Sequence, residues 1–312
     1  MPQTLLVDGG LSTQLESQGV DLTQHPQLWT AGLLLSDDGR KQLSTAHTHF
    51  IEAGSDIILT ASYQVSPDVN QVCADFSVSL ALAARDRIKG SSAKVYVSLG
   101  PWGATQADGS EYSGQYAEHV TRGFLKDWHT RRLELLLKNN WNNVDGLAFE
   151  TIPSMLELRA IMEVLGNQAK PAWTTFSSPD GVHLCDGTPI VDAFALCDEL
   201  TKADDYDRYF GLNCVHPDTI NPFLDAILPL ATVSRGSMAG ITVYPNNGGT
   251  WDADERCWKD AAGGEAEGEG FSLLAREWRE RVEAVGLSFM CGGCCSTDAK
   301  TIRKLKESLK NE

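Results

Sequence analysis

"KVYVSLGP", residues 94–101, is a short run in which apolar side chains fall on both alternating sets, closed by glycine and proline. That pattern suits a strand covered on both faces, as in a parallel sheet flanked by helices. Seven more segments read the same way: "LLVDGG" (5–10), "DIILTASY" (56–63), "GLAFET" (146–151), "PAWTTFSS" (171–178), "YFGLNC" (209–214), "AGITVYPN" (239–246) and "LSFMCGG" (287–293). Between them lie helical periods. Residues 37–54 place Leu43, Ala46, His47, Phe50 and Ile51 on one face and stop at Gly54. "VSLALAARDRI", "TRRLELLLKN", "SMLELRAIMEVLG", "IVDAFALCDEL" and "LLAREWRERVEAVG" follow suit. Eight strand-then-helix units predict a closed (β/α)₈ TIM barrel, α/β in class, forming one domain over residues 1–312. An open dinucleotide-binding sheet fits less well, because "DGGLSTQLE" after the first strand is not G-x-G-x-x-G. Residues 261–270, "AAGGEAEGEG", read as a flexible acidic loop between the seventh strand and the helix that follows.

The balance of 42 acidic against 26 basic residues, a net charge of −16, argues against nucleic acid as a partner. It suits a cationic small molecule, although acidity also serves solubility alone. No apolar run approaches the roughly 18–20 residues that span a bilayer, and "MPQTLLVDGG" is not a secretory signal. The expectation is a cytoplasmic protein with reduced thiols and no membrane partner. Oligomeric state is not legible.

Active sites in this barrel sit at the C-terminal strand ends. The residues to weigh there are Asp8, Thr60, Glu150, Asn213, Cys214, Tyr244, Asn246 and the late cysteines of "CGGCC" (291–295). Cys214 closes the sixth strand, and Cys294 and Cys295 follow the eighth, so all three fall on one rim. Three thiolates at one point are enough to hold Zn²⁺ with a fourth position open, the pattern of a catalytic site. Gly292 and Gly293 are expected to give the turn its conformational freedom. Three other readings stand beside this one: a redox pair of Cys291 and Cys294, a four-cysteine structural site that includes Cys291, and plain buried thiols. Cys73, Cys185, Cys197 and Cys257 read as ordinary thiols.

Taken together, these segments resemble the homocysteine S-methyltransferase family along nearly the whole chain. "LLVDGGLSTQLE", "AGSDIILTASYQ", "SLGPWGATQADGSEYSGQY", "FETIPSMLE", "GLNC", "VYPNNGGTWD" and "GGCCST" are similar to the family's successive strand-end motifs. "ADGSEY" resembles the branch that uses S-methylmethionine or S-adenosylmethionine; betaine- and folate-dependent homocysteine or selenocysteine methyltransferases share the zinc motif and form the alternative. A non-enzymatic thiol-rich zinc or redox protein is the competing class. The resemblance implies a zinc enzyme that makes methionine from homocysteine and a sulfonium donor. Cys214, Cys294 and Cys295 would be ligands, and Asp8 and Glu150 would hold the homocysteine ammonium. Asn247, Gly249 and Ser296 depart from the usual pattern. Cys291, in place of an aliphatic residue, is read as packing.

This chemistry suits the residues. Only a thiolate attacks a sulfonium, and a free thiol with a pKa near ~8.5 is mostly protonated at neutral pH. Coordination to Zn²⁺ removes the proton. Thr60, Tyr63, Asn213, Tyr244 and Asn246 are expected to line the pocket. Trp102 and Tyr112 are candidates to shield a cationic donor, His216 reads as a loop residue, and the "HTH" histidines (47–49) read as structural.

Overall fold

The computed structural model describes residues 2–24, 28–69, 71–166, 168–201, 206–233, 238–248, 250–252, 257–259 and 267–310. In chain order its elements are β1 (Thr4–Leu6), α1 (Leu11–Ser17), α2 (Asp37–Ala53), β2 (Ile57–Leu59), α3 (Gln71–Arg87), β3 (Lys94–Leu99), α4 (Ser110–Ser113), α5 (Arg122–Leu137), β4 (Gly146–Ile152), α6 (Met155–Leu165) and β5 (Ala172–Phe176). Then come α7 (Ile190–Thr201), β6 (Arg208–Asn213), α8 (Ile220–Ala231), β7 (Gly240–Tyr244), β8 (Thr250–Asp252), β9 (Cys257–Lys259), α9 (Glu267–Ala284), β10 (Ser288–Cys291) and α10 (Ala299–Lys310).

Eight strands, one in each predicted segment, pair in parallel in the order β1-β10-β7-β6-β5-β4-β3-β2. A parallel bridge between Val7 and Ile57 joins the last strand to the first. The Asp56 N–H donates to the Leu6 carbonyl at 2.7 Å, and the Asp56 carboxylate accepts from the Leu6 N–H at 2.8 Å. Lys306 on α10 pairs with the same carboxylate at 3.0 Å. The chain is therefore a TIM barrel.

Alternation sorts the strand side chains into two cores. One lies between sheet and helices. The other fills the barrel with Val7, Ile57, Tyr96, Ala148, Trp173, Tyr209, Tyr244 and Met290. Tyr96 stacks on Trp173 with ring centroids 4.9 Å apart, so the lumen is packed and not a pore.

Local signals explain the helix limits. Ser36 caps α2 by accepting from the Gly39 N–H, Asp37 and Asp38 occupy its first turn, and Gly54 ends it at φ 102°. The structure adds α1, α4, α8 and α10 to the predicted helices, and the ribbon of β8 and β9 after the seventh barrel strand. Of the acidic segment at 261–270, residues 261–266 lie outside the described residues, and residues 267–270 open α9.

One buried cation ties the rim together. Arg132 of α5 is fully buried and donates to the carbonyls of Ser62 (2.8 Å), Tyr63 (2.7 Å) and Gly100, which follow β2 and β3. Replacing it would leave the Tyr63 and Gly100 carbonyls without this donor, each costing about 1–3 kcal/mol, while Ser62 O keeps the Val65 N–H at 3.0 Å. Arg132→Met is expected to lower unfolding free energy by about 2–6 kcal/mol, read from the urea midpoint at unchanged slope.

Candidate metal centre

Cys214 follows β6 with φ 53°, a left-handed conformation uncommon for a residue with a side chain. Cys294 and Cys295 lie in the turn after β10, where Ser296 is also left-handed at φ 61°. The two cysteine loops are not on neighbouring strands, because β7 runs between them. The backbone after β7 joins both. Tyr244 O accepts from Cys214 N–H (3.1 Å), and Asn246 N–H donates to Val215 O (2.9 Å). On the other side Pro245 O accepts from Cys294 N–H (2.8 Å), and Asn247 N–H donates to Cys295 O (3.2 Å). The sulfurs of Cys214, Cys294 and Cys295 then all lie within 4.8 Å of one another, with 3.6 Å between Cys214 and Cys295. Three thiols so placed can hold one thiophilic metal ion.

The glycines before the pair act differently from expectation. Neither Gly292 nor Gly293 has a positive φ; both are needed for space. A Cβ at Gly292 would sit 2.7 Å from the Asp8 carbonyl oxygen, and one at Gly293 would sit 2.3 Å from Thr297 Oγ1. The conformational demand falls on Ser296 instead. Cys291 is fully buried in the sheet–helix core, beside Leu6 and Val243 in register, whereas Cys294 packs against the barrel interior. That disposition removes the Cys291–Cys294 redox pair and the four-cysteine site.

Thiol hydrogen bonds from Cys294 and then Cys295, with the Tyr112 hydroxyl adding to them, hold Cys214 well below the usual thiol range. Those two thiols are pushed up in turn by sharing protons with Cys214. The cluster already favours negative charge.

Asp8 and Glu150 both reach this end of the barrel, and each is at most 5% exposed. Asp8 Oδ2 accepts from the Leu59 N–H at 2.8 Å, but its Oδ1 is buried without a partner. Burial pushes the Asp8 carboxyl well above the usual range, and the Glu150 charge adds to that. Glu150 sits at a register shift of β4, just before Thr151 at φ 59°. It accepts from the Ser98 hydroxyl and, at 3.2 Å, from the Tyr244 hydroxyl. Burial raises it to about 7 against these two hydrogen bonds.

The remaining expected pocket residues are engaged with the protein. Tyr244 also meets Trp173 Nε1 (3.0 Å) and Thr175 (2.8 Å), which fixes its hydroxyl on Glu150. Thr60 Oγ1 accepts from the Ser98 N–H at 3.1 Å and contacts Ser62. The Asn213 amide clamps Thr151, accepting from its N–H at 2.7 Å and donating to its hydroxyl at 2.8 Å. Asn246 accepts from the Gly248 N–H. His216 caps the turn at Pro217–Thr219, and His47 is a buried helix residue held neutral by burial.

In the third loop Tyr112 brings its hydroxyl to 3.4 Å from Cys214 Sγ. Trp102 instead packs edge-on against Tyr116 and Phe124, in a cluster with Val120, Leu125 and Ala160. Two residues here escaped the sequence reading. Glu157 is fully buried and accepts from the Trp102 N–H (2.7 Å), the Tyr116 hydroxyl and His129 Nε2 (2.9 Å), anchoring the loop. Its only sequence signal, the S-x-x-E spacing from Ser154, points to a helix cap. Glu111, beside Tyr112, has a buried Oε2 without a partner, and burial raises its carboxyl to about 7.

Comparison with known proteins agrees with this geometry. A family model described as homocysteine S-methyltransferase matches residues 5–309. Homocysteine S-methyltransferase 2 of Zea mays is 35% identical, covering 98% of this chain and 89% of its own length. Selenocysteine Se-methyltransferase of Brassica oleracea var. italica is 34% identical, covering 97% and 88%. Among solved structures, the metallated form of the homocysteine methyltransferase MmuM from Escherichia coli superposes with a TM-score of 0.75 at 29% identity, covering 98% of this chain and 96% of that one. The three-thiol rim and these full-length matches place the chain in the homocysteine S-methyltransferase family, and it is a homocysteine methyltransferase.

Proposed function

We propose that the enzyme holds Zn²⁺ through Cys214, Cys294 and Cys295 and moves a methyl group from a sulfonium donor, S-methylmethionine or S-adenosylmethionine, to homocysteine, giving methionine. The observation that carries this is the thiol triad at the strand ends, with sulfurs within 4.8 Å of one another. A tetrahedral Zn–S length of ~2.3 Å requires sulfurs ~3.8 Å apart, and the 3.6 Å between Cys214 and Cys295 is close to that. When bound, Zn²⁺ supplies the charge that keeps a homocysteine thiol deprotonated at neutral pH, with one position left beside the three protein ligands.

The chain's own residues do the rest. Asp8 Oδ1, unpartnered in the fold, and Glu150 bind the ammonium of homocysteine. Tyr244 and Ser98 hold Glu150 in place for that contact. The homocysteine thiol gives up its proton to solvent. An electron pair on its sulfur then forms the new S–CH₃ bond while the donor's S–CH₃ bond breaks. The electrons of the broken bond return to the donor sulfur, which leaves as a neutral thioether. No proton is needed by the leaving group, so no catalytic acid is needed. The carboxylates around the pocket favour a cationic donor over a neutral one.

Each of Cys214→Ser, Cys294→Ser and Cys295→Ser is expected to reduce zinc from about one equivalent per chain to near none by atomic absorption, and to abolish methyl transfer. Cys291→Ser should retain both. Parallel assays with S-methylmethionine, S-adenosylmethionine and betaine should show transfer from a sulfonium; transfer from betaine alone would overturn the donor assignment. Running homocysteine against selenocysteine as acceptor tests the selenium chemistry named for one relative.

Glu150→Gln keeps the shape of the side chain but removes the charge and turns one of its two acceptors into a donor. It should weaken homocysteine binding roughly 10- to 100-fold. The metal-free protein provides a second readout. A carboxyl raised from 4.5 to about 7 stabilises the fold below pH ~4.5, and this contribution is lost as pH rises through about 7. The stability of Glu150→Gln relative to wild type should therefore improve from pH 4.5 to 7 and level off above, by up to about 3 kcal/mol, in thermal melts across that range.

A further inference from the structure

The mechanism leaves one buried acidic group at the rim without a task. Glu111 lies in the single turn α4 (Ser110–Ser113), in the loop that delivers Tyr112 to Cys214. Its backbone is held at several points. The Ser177 hydroxyl donates to Glu111 O at 3.0 Å, and the Ser110 N–H donates to Asp108 Oδ1 at 2.9 Å. A Cβ at Gly103 would come within 2.8 Å of the Glu111 nitrogen, so the turn sits tight against Trp102–Thr105. Glu157, in turn, holds the Trp102 N–H. The turn that carries the carboxylate is thus held, and the carboxylate's Oε2 is buried with no hydrogen-bond partner.

Its electrical surroundings are as telling. The charged groups that act most strongly on Glu111 are Asp108 and Cys214, both acidic. Its charge is felt by the phenols of Tyr63 and Tyr112, and Cys214 acts on both of those rings as well. A carboxylate oxygen buried with an empty acceptor is unfavourable until a donor or cation meets it. Asp8 and Glu150 are assigned above to the acceptor amino acid, whereas Glu111 directly precedes Tyr112 in the loop that reaches Cys214. Aromatic faces and a carboxylate together suit a positively charged sulfonium compound.

We propose that Glu111 binds the methyl donor, taking the cationic part of a sulfonium amino acid with its free oxygen while Tyr63 and Tyr112 border that charge. This deepens the function proposed above and rests on it. Glu111 then sets which donors are used, because a neutral methyl donor gains nothing from the carboxylate.

The test is Glu111→Gln and Glu111→Asp in zinc-loaded enzyme, with S-methylmethionine as the cationic donor and methyl iodide as the neutral one. Glu111→Gln should raise KM for S-methylmethionine roughly 10- to 100-fold, the loss of one charge-assisted contact. Zinc content, homocysteine KM and the methyl iodide rate should stay at wild-type values, and Glu111→Asp should recover part of the loss. An unchanged KM for S-methylmethionine in Glu111→Gln overturns the assignment. So does an equal loss with methyl iodide, a rise in homocysteine KM or a loss of zinc, each of which would place Glu111 on the acceptor or on the thiol cluster. Failure of the wild type to use any sulfonium overturns the donor class itself, whereas use by wild type and Glu111→Gln alike overturns this inference only.

Discussion

Three sulfurs meet at one point although the strands that carry them do not touch. β7 separates β6 from β10, and the polypeptide from Tyr244 to Asn247 spends its hydrogen bonds on both cysteine loops. Cys214 reaches inward by adopting a left-handed backbone, and the adjacent pair does so through the left-handed Ser296. The close approach of Gly292 and Gly293 to Asp8 and Thr297 brings the first and last strand ends together as well. Backbone strain at functional positions persists only when surroundings over-determine it, and here the seventh loop supplies that determination.

The electrostatics follow from the same crowding. Asp8, Glu111, Glu150 and three thiols converge at one end of a packed barrel, and burial raises all three carboxyls. Arg132, a buried cation at this rim, spends its guanidinium on backbone carbonyls. This end of the barrel thus concentrates acidic groups, which suits the metal and the cationic substrates proposed above. In the proposed reaction the amino acid acceptor would bring an ammonium, and a sulfonium donor a second positive centre that disappears on methyl transfer. A pocket of this kind holds such a donor more tightly than its neutral thioether product, which aids product departure.

Much of this architecture is visible in the sequence. Strands buried on both faces write themselves as uninterrupted apolar runs, which is why each of the eight predicted segments holds a barrel strand. Helix α8 is harder to see because Pro222 lies in its first turn and Pro229 lies inside it near the end, and α10 because only Ile302 and Leu305 of a charged segment are buried. The cysteines are legible since few other roles call for thiols at strand ends. Glu157 and Glu111 are not, because their meaning depends on partners 28 to 55 residues away, or on the lack of one. The same limit explains Gly292 and Gly293, whose lost side chains are a matter of neighbours rather than torsions.

The pairing of β10 with both β1 and β7 has a temporal consequence. Two of the three sulfurs follow the last strand to leave the ribosome, and that strand fills the gap that closes the barrel. Until it docks, only Cys214 is in place, and one thiol is a poor grip for a metal. A metal held by all three sulfurs, as proposed, could be gripped only after the ring of strands has shut, so its loading would report on completed folding. A half-made chain, with hydrophobic strand edges still bare, has no competent site with which to sequester the metal.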